Sequence, residues 1–381
     1  MGQLANFQSR NGWNEKKGFH ALHTSESVEI LLSEGEKPKN RLEFLDVFRG
    51  IGILATVEIH VCGALMSATS KQSSEWLFLF TATRALLFAV PAFLILTTLL
   101  QVNKLQRPFK LGDVMKKAVI GIAYPYLLWS MAYLFIAYKN HQIHTTPIQV
   151  LLNILIGKAY GSLYFLRILF QLMVLLPLFA PIFRKKPSGI SIVTATVLST
   201  LAFYALNRFA LRINAIGSII FWYIPGIGAG IWLGLKMKEI PENLKNAALW
   251  AAPIAIVSFC FYLPLSIQAI KNLPVDTFHF QIAEWTYTVC ASLLALLLAA
   301  ALAKNASLSK GLQILGASSM QIYLLHPFLL NYAVRFLPSC RIIPFWLALL
   351  LYPLLIVPTC LGIASICRKL KLSQILFGRV E

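Results

Sequence analysis

Residues 41–60 read RLEFLDVFRGIGILATVEIH and begin the first strongly apolar stretch of the chain. Arg49 and His60 stand eleven residues apart in this stretch. At about 100° per residue this offset is roughly 20° from a whole number of turns, so we expect both side chains on one helix face, about 16 Å apart along the axis. Such groups are rare inside membranes unless they have a function. The pair therefore predicts an inward-facing functional site.

The composition indicates an integral membrane protein. Of the 381 residues, 57% are hydrophobic and 13% are charged, and the mean hydropathy is +0.68. Apolar runs of about 20 residues match the thickness of a bilayer, and the short loops between them leave no room for a separate soluble domain. The sequence predicts an all-α fold, a polytopic transmembrane bundle of about ten helices. The predicted spans lie near 44–66, 76–100, 114–138, 162–183, 190–210, 214–235, 247–270, 281–303, 312–335 and 343–366.

The distribution of basic residues predicts the orientation. The formal net charge is +19, but the basic residues lie in loops between spans and not in one patch, so nucleic-acid binding is not expected. The loops that follow spans two, four, six and eight, together with the C-terminal segment, carry seventeen Lys and Arg residues. The loops on the other side carry eight. The positive-inside rule therefore predicts that both termini are cytoplasmic, in a multi-pass protein of the cell membrane, the inner membrane if the source is bacterial.

The sequence divides into a membrane domain and two tails. Residues 1–40 are polar, carry both charge signs and lack an apolar signal-peptide core, which predicts a disordered cytosolic tail. Residues 41–370 form the predicted transmembrane domain, and residues 371–381 form a short cytosolic tail. Within the domain, segment 139–161 could be a re-entrant or interfacial piece. The six cysteines show no CxxC pair and no metal-ligand spacing, so we interpret them as packing residues and expect no metal.

His60 and Arg49 are the leading candidates for chemistry. A neutral imidazole near physiological pH can accept a proton, so His60 is a candidate general base for a hydroxyl. The alternative is a hydrogen-bonded histidine between packed helices. Arg49 could clamp a phosphate or an acyl carbonyl entering from the cytoplasm, with Asp46 as its partner, or it could simply reach the lipid headgroups. Glu58 lies off the His60 face, and its role stays open.

Arg84 is a second-tier candidate at the start of the apolar run ALLFAVPAFLILTTLL. Pro91 lies within this run and should disturb the helix, which would free a backbone carbonyl inside the bundle. Arg84 could line the cavity near this break. A boundary arginine is the alternative interpretation.

Two further polar residues interrupt apolar spans. Arg167 lies within SLYFLRILFQLMVLLPLF, and burial of an unpaired guanidinium at a helix centre costs about 2.5 to 3.5 kcal/mol on insertion scales. It is therefore expected to line the cavity or to pair with Glu58 or Glu284. His326 follows Tyr323 by one turn and is a second candidate proton carrier, with a polar contact between helices as the alternative.

The sequence favours direct acyl transfer over an acyl-enzyme. It contains no phosphate-cradling glycine loop, no GxSxG nucleophile elbow and no HExxH motif. A base that deprotonates an acceptor hydroxyl, which then attacks an activated acyl thioester, needs only a histidine and cationic anchors.

Five segments resemble, in order, the acyltransferase-3 family of integral membrane O-acyltransferases. In that family an arginine, ten residues and a histidine mark the catalytic helix, as in residues 41–60 here. The stretch from Arg84 through VPAF is similar to the second span, GIAYPYLLWS to the third, SLYFLRILFQLMVLLP to the fourth and SSMQIYLLHPFLL to the ninth. The resemblance covers roughly residues 41 to 366.

The resemblance implies transfer of an acetyl or other short acyl group from cytosolic acyl-CoA, acetyl-CoA above all, to a hydroxyl of a sugar, glycan or glycolipid. It implies that His60 is the base and that Arg49 helps to hold the donor. The expected partners are the donor, the carbohydrate acceptor and membrane lipids, and the oligomeric state stays open. The other expected donor-binding residues are Arg84, Lys116 and Lys117, and the expected acceptor-binding residues are Glu58, Tyr164, Arg167, Tyr323 and His326.

Two other functions remain possible from the residues alone. A transporter or flippase for a polar or glycolipid solute would use the same polar groups to line a pathway. No internal repeat stands out in the sequence, which weighs against an inverted-repeat transporter. A scaffold subunit would need neither Arg49 nor His60 for its function.

Overall fold

The fold is described from a computed structural model. The structure describes residues 43–139, 146–157, 159–213, 216–336 and 344–378. Within these ranges, all regular secondary structure is helical. The predicted disordered tail, residues 1–40, lies outside the described residues.

The helices follow one another along the chain with short connections. The first eight are α1 Glu43–Ser67, α2 Ser74–Leu86, α3 Ala89–Leu105, α4 Leu111–Ala118, α5 Tyr124–Lys139, α6 Pro147–Ile156, α7 Tyr164–Leu175 and α8 Ala180–Arg184. The next eight are α9 Gly189–Leu206, α10 Ile224–Leu235, α11 Ile240–Ile270, α12 Thr277–Leu302, α13 Ala306–Ala317, α14 Ser319–Phe336, α15 Phe345–Lys369 and α16 Ser373–Phe377.

The predicted helical membrane bundle is confirmed. Eight helical segments in the described ranges are long and apolar enough to cross a membrane. We call the end of the bundle where α1 begins the inner end, which is the end that the charge distribution assigns to the cytoplasm, and the opposite end the outer end.

Two predicted spans differ from the structure. In the predicted span 214–235, the α-helix α10 covers only 12 residues. It begins at Ile224, with Pro225 in its first turn, directly after the 3₁₀ segment Ile220–Tyr223. The predicted span 312–335 is divided at Ser318, where α13 ends and α14 begins. Periodicity alone does not reveal such interruptions, because the apolar residues continue through them.

The segment 139–161 contains the short helix α6, as the sequence analysis allowed. A capping box of Thr146 and Gln149 begins α6, with Pro147 as its first residue, and Gly157 ends it in a left-handed conformation at φ 82°. At 1.5 Å per residue, its 10 residues span about 15 Å, about half of a bilayer core. This helix is therefore too short to cross the membrane.

The predicted disturbance at Pro91 is also confirmed. Helix α2 ends at Leu86, and α3 begins three residues later. Near this break, backbone carbonyls accept hydrogen bonds from hydroxyls of α12. The Tyr287 hydroxyl donates to the Ala85 carbonyl at 2.6 Å, and the Ser292 hydroxyl donates to the Phe88 carbonyl at 3.1 Å. These two hydrogen bonds at the break therefore hold the second span against α12.

Two glycines bring α1 and α13 into backbone contact near the inner end. A Cβ on Gly50 would lie 2.2 Å from the carbonyl oxygen of Leu312, and a Cβ on Gly316 would lie 2.1 Å from the carbonyl oxygen of Asp46. Any larger side chain would force the two helices apart. The contact fixes α1 against α13 at the turn that carries Arg49.

The C-terminal segment packs against the bundle. The Trp129 indole on α5 donates to the carbonyl of Leu376 at 2.7 Å, and the side chain of Phe377 is buried. Part of the predicted tail 371–381 is therefore the packed helix α16.

We expect Gly316→Ala to destabilise the protein by about 1 to 3 kcal/mol, because its methyl group would meet the backbone of α1. The matched control is Gly311→Ala on the same helix, where a Cβ meets nothing within 4 Å. Thermal unfolding of the purified protein in detergent measures both. Equal melting temperatures for the two variants would contradict the backbone contact.

Candidate functional site

Arg49 lies on α1 near the inner end, beside Asp46. Its Nη1 donates to Asp46 Oδ1 at 2.9 Å, which confirms the predicted pairing. The Arg49 side chain is 21% exposed, whereas that of Asp46 is 9% exposed. The carboxylate therefore orients a guanidinium that is still partly accessible at this end.

His60 lies about 16 Å further along α1 and faces His326 of α14. The two ring centroids are 5.1 Å apart and the rings are tilted by 47°. His326 is fully buried, and its Nδ1 lies 2.9 Å from the carbonyl oxygen of Ile322. Because a carbonyl only accepts, His326 carries its proton on Nδ1 in this arrangement. Its Nε2 is buried and has no hydrogen-bond partner in the described ranges.

The structure thus brings together two histidines that the sequence analysis treated separately. Tyr323 contributes to the same region, with its ring centroid 6.1 Å from that of His326. Its hydroxyl donates to the carbonyl of Ser162, and its ring contacts Phe165 edge-on. The two histidines and Tyr323 form what we call the histidine site.

Tyr164 and Glu58 have different surroundings. Tyr164 begins α7, and its hydroxyl interacts with that of Tyr223, which donates to the carbonyl of Gly217 at 2.9 Å. Glu58 is half-buried on α1, two residues before His60. In the described part of the chain it forms no ion pair or side-chain hydrogen bond, and its role stays open.

Of the two expectations for Arg167, the pairing with Glu58 or Glu284 is not found among the described residues and is wrong, whereas the lining of a cavity stays a prediction. Its Nη1 donates to the carbonyl of Ile156 at 3.1 Å, and to the carbonyl and hydroxyl oxygens of Ser218 at 2.9 and 2.7 Å. Neutral oxygens thus satisfy this cation, because the ends of two short helical segments leave carbonyls available near it.

Arg84 lies beside α11, away from the inner end. Its Nη1 is 3.4 Å from the hydroxyl of Tyr262, and its guanidinium lies 4.7 Å from the centroid of the Phe80 ring. The preceding residue, Thr83, contacts the sulfur of Met66, which is at the outer end of α1. The expected donor-binding residues are therefore divided between the two halves of the bundle.

The remaining donor-binding candidates, Lys116 and Lys117, are exposed on α4. Helix α4 follows the inner end of α3, so these lysines lie on the same side of the bundle as Arg49. The structure shows no direct contact between them and Arg49.

A second polar cluster lies on α12 and was largely missed by the sequence analysis. Gln281 donates to Glu284 Oε2 at 3.0 Å. Arg84 and Glu284 lie close enough to interact electrostatically with each other and with the hydroxyl group of Tyr262. The signal was the i, i+3 spacing of Gln281 and Glu284 in an otherwise apolar helix.

Comparison with known proteins identifies the class. A family model described as an acyltransferase domain matches residues 42–368, which includes α1 with Arg49 and His60 and α14 with His326. No curated protein and no solved structure matches the chain.

We expect Arg167→Met to lower stability by about 1.5 to 3 kcal/mol, because bonds from a charged donor to Ile156 and Ser218 are lost. The matched control is Arg208→Met, since Arg208 is exposed in the π-helical turn Asn207–Leu211 that follows α9. Thermal unfolding in detergent measures both. An Arg167→Met protein that unfolds at the wild-type temperature would contradict this structural role.

Proposed function

Because the chain belongs to the acyltransferase-3 family of membrane acyltransferases, we propose that it transfers an acetyl or other short acyl group from cytosolic acyl-CoA to a hydroxyl of a sugar, glycan or glycolipid. The observation that carries this proposal is the histidine site, where the half-buried imidazole of His60 faces the buried imidazole of His326. This pairing provides a base inside the bundle, on the same helix as a cation at the inner end.

The donor enters from the inner end. The Arg49 guanidinium, oriented by Asp46, offers planar donors for a phosphate of the donor. Lys116 and Lys117 add positive charge on the same side, where they attract an anionic cosubstrate. The extended pantetheine arm of acyl-CoA then carries the thioester along α1 towards His60.

The chemistry is a direct transfer. One ring nitrogen of His60 removes the proton from the acceptor hydroxyl as the hydroxyl oxygen attacks the thioester carbonyl carbon. The new carbon–oxygen bond forms, the carbon–sulfur bond breaks, and the proton passes from His60 to the departing thiolate of CoA. His60 is thereby returned to its neutral form.

His326 acts as a positioning residue for His60. Because the Nδ1–H of His326 donates a hydrogen bond to the Ile322 carbonyl, its Nε2 carries a lone pair. We assign this lone pair to the N–H of His60, which would hold the other ring nitrogen of His60 unprotonated and directed at the acceptor. The two ring centroids are 5.1 Å apart, but no hydrogen bond joins the rings in the described structure, so this contact requires a rotation of one ring.

We expect His60→Asn to reduce acyl transfer by about 10²-fold to 10⁴-fold, which is the usual contribution of a general base. The assay follows radiolabel from [14C]acetyl-CoA into glycan and glycolipid of isolated membranes. The control is His279→Asn. His279 is an exposed histidine at the outer end, where its hydrogen bond lowers the pKa of Asp276 below its usual range. Undiminished transfer by His60→Asn would refute the proposed base.

For His326, we expect His326→Phe to lower kcat by about 10-fold to 100-fold, with an unchanged KM for acetyl-CoA, because the base loses its orientation but the donor site is intact. His326→Gln retains an acceptor oxygen and should recover part of the activity. Steady-state kinetics and melting temperatures of the two purified variants give the comparison. Equal kcat values for the Phe and Gln variants would argue against a positioning role.

A further inference from the structure

The polar cluster around Arg84 and α12 has no role in the transfer chemistry proposed above. It consists of Arg84, Tyr262, Gln281 and Glu284, with Trp285 beside them, and we call it the outer polar cluster. Polar and charged side chains are costly inside a membrane protein and usually mark a functional site. This group lies on α2, α11 and α12, and α12 also packs against α1, the helix that carries His60.

The side chains of α12 in this cluster share one face. Gln281, Glu284 and Trp285 are separated by three and four residues, which places them on one stripe of the helix. Hydrogen bonds from α12 to the carbonyls at the end of α2 hold this helix beside Arg84. The stripe and the guanidinium therefore belong to one layer of the bundle.

Several groups in the cluster are available for hydrogen bonding. The Nε atom of Arg84 and the indole Nε1 of Trp285 are buried, and neither has a hydrogen-bond partner in the described ranges. Of the two carboxylate oxygens of Glu284, only Oε2 accepts a side-chain hydrogen bond from the described residues. Unused donors beside an available carboxylate oxygen match a ligand whose groups both accept and donate hydrogen bonds, as hydroxyls do.

The charges restrict the ligand further. Arg84 and Glu284 interact electrostatically, but among the described residues they form no ion pair within 4.0 Å. The two side chains have opposite formal charges, so the cluster has no formal net charge to attract an anion. A phosphate or carboxylate next to Glu284 would be repelled, whereas an uncharged ring with several hydroxyls would bond to both residues.

Aromatic rings flank the cluster. Trp285 forms an edge-on pair with Trp222, with ring centroids 5.0 Å apart, and the Arg84 guanidinium lies over the ring of Phe80. A site with a few convergent polar groups between aromatic surfaces is typical of small-molecule binding. Such surfaces suit the apolar C–H faces of a sugar ring.

We propose that the outer polar cluster is a subsite for an uncharged sugar ring, which it presents from the outer half of the bundle to His60. The role of this subsite in binding the acceptor rests on the proposed function. It adds the location of the acceptor and a selectivity for neutral over acidic sugars.

The test measures binding without an acyl donor, so its result is independent of catalysis. The protein is placed in lipid nanodiscs and titrated with neutral methyl glycosides of glucose, galactose, mannose and N-acetylglucosamine, and with methyl glucuronide as the acidic probe. Tryptophan emission and melting temperature report binding. The same titration with octyl glycosides below their micellar concentration separates a lipid-linked sugar from a free one, because only the former gains affinity from the alkyl chain.

We expect at least one neutral glycoside to bind the wild-type protein and methyl glucuronide to bind at least tenfold more weakly. Arg84→Gln and Glu284→Gln should each weaken the neutral glycoside by about tenfold or more, because each removes a charged hydrogen-bonding group. The matched controls Arg208→Gln and Glu75→Gln, near the outer ends of α9 and α2, should bind like the wild type.

The His60→Asn variant separates the two proposals. It should still bind the neutral glycoside although its acyl transfer falls by about 10²-fold or more. The subsite is refuted if none of the neutral glycosides binds, if methyl glucuronide binds as well as they do, or if Arg84→Gln and Glu284→Gln leave the affinity unchanged. Loss of glycoside binding together with intact acyl transfer in Arg84→Gln would also refute it as the acceptor subsite.

Discussion

A polar group inside a membrane-spanning bundle must find a partner within the protein, and this requirement organises the whole structure. Arg49 has Asp46, Arg167 has the oxygens of Ile156 and Ser218, and the carbonyls near the Pro91 break have hydroxyls of α12. The buried atoms that lack partners in the described ranges are few, and several of them lie at the histidine site and the outer polar cluster. Three of the seven such atoms lie at these two proposed sites, and the other four belong to Thr98, Ser130, Ser162 and Gln321.

Interruptions of the helices position the groups to which a function is proposed. The break at Ser318 allows α13 to pack tightly on the inner part of α1 while α14 takes a separate path that brings His326 to His60. The break before Pro91 joins the second span to α12. A bundle of uninterrupted helices would offer neither the second histidine nor the ordered layer around Arg84.

Much of the architecture could be predicted from the sequence, because a membrane span and its proline break leave direct signals in hydropathy and residue type. The partner of Arg49 and the short helix α6 were also predictable, since both depend on neighbours within a few residues. The pairing of His60 with His326 was not, because it joins residues 266 positions apart. The partners of Arg167 were missed for a related reason, since backbone carbonyls carry no sequence signal and only the chain's path shows where they are free.

The glycine contacts between α1 and α13 have a consequence for how substrates must move. With Gly50 and Gly316 seated against opposing backbone, sliding or rotation of α1 past α13 is sterically opposed. Arg49 and His60 lie on the same continuous helix, so their separation along it stays at about 16 Å. In the transfer proposed above, a shift of α1 would therefore not be the means that brings the acyl group to His60. Under the proposed function, the donor would therefore have to span this interval itself, and the length of its flexible arm would decide which carriers can deliver an acyl group to His60.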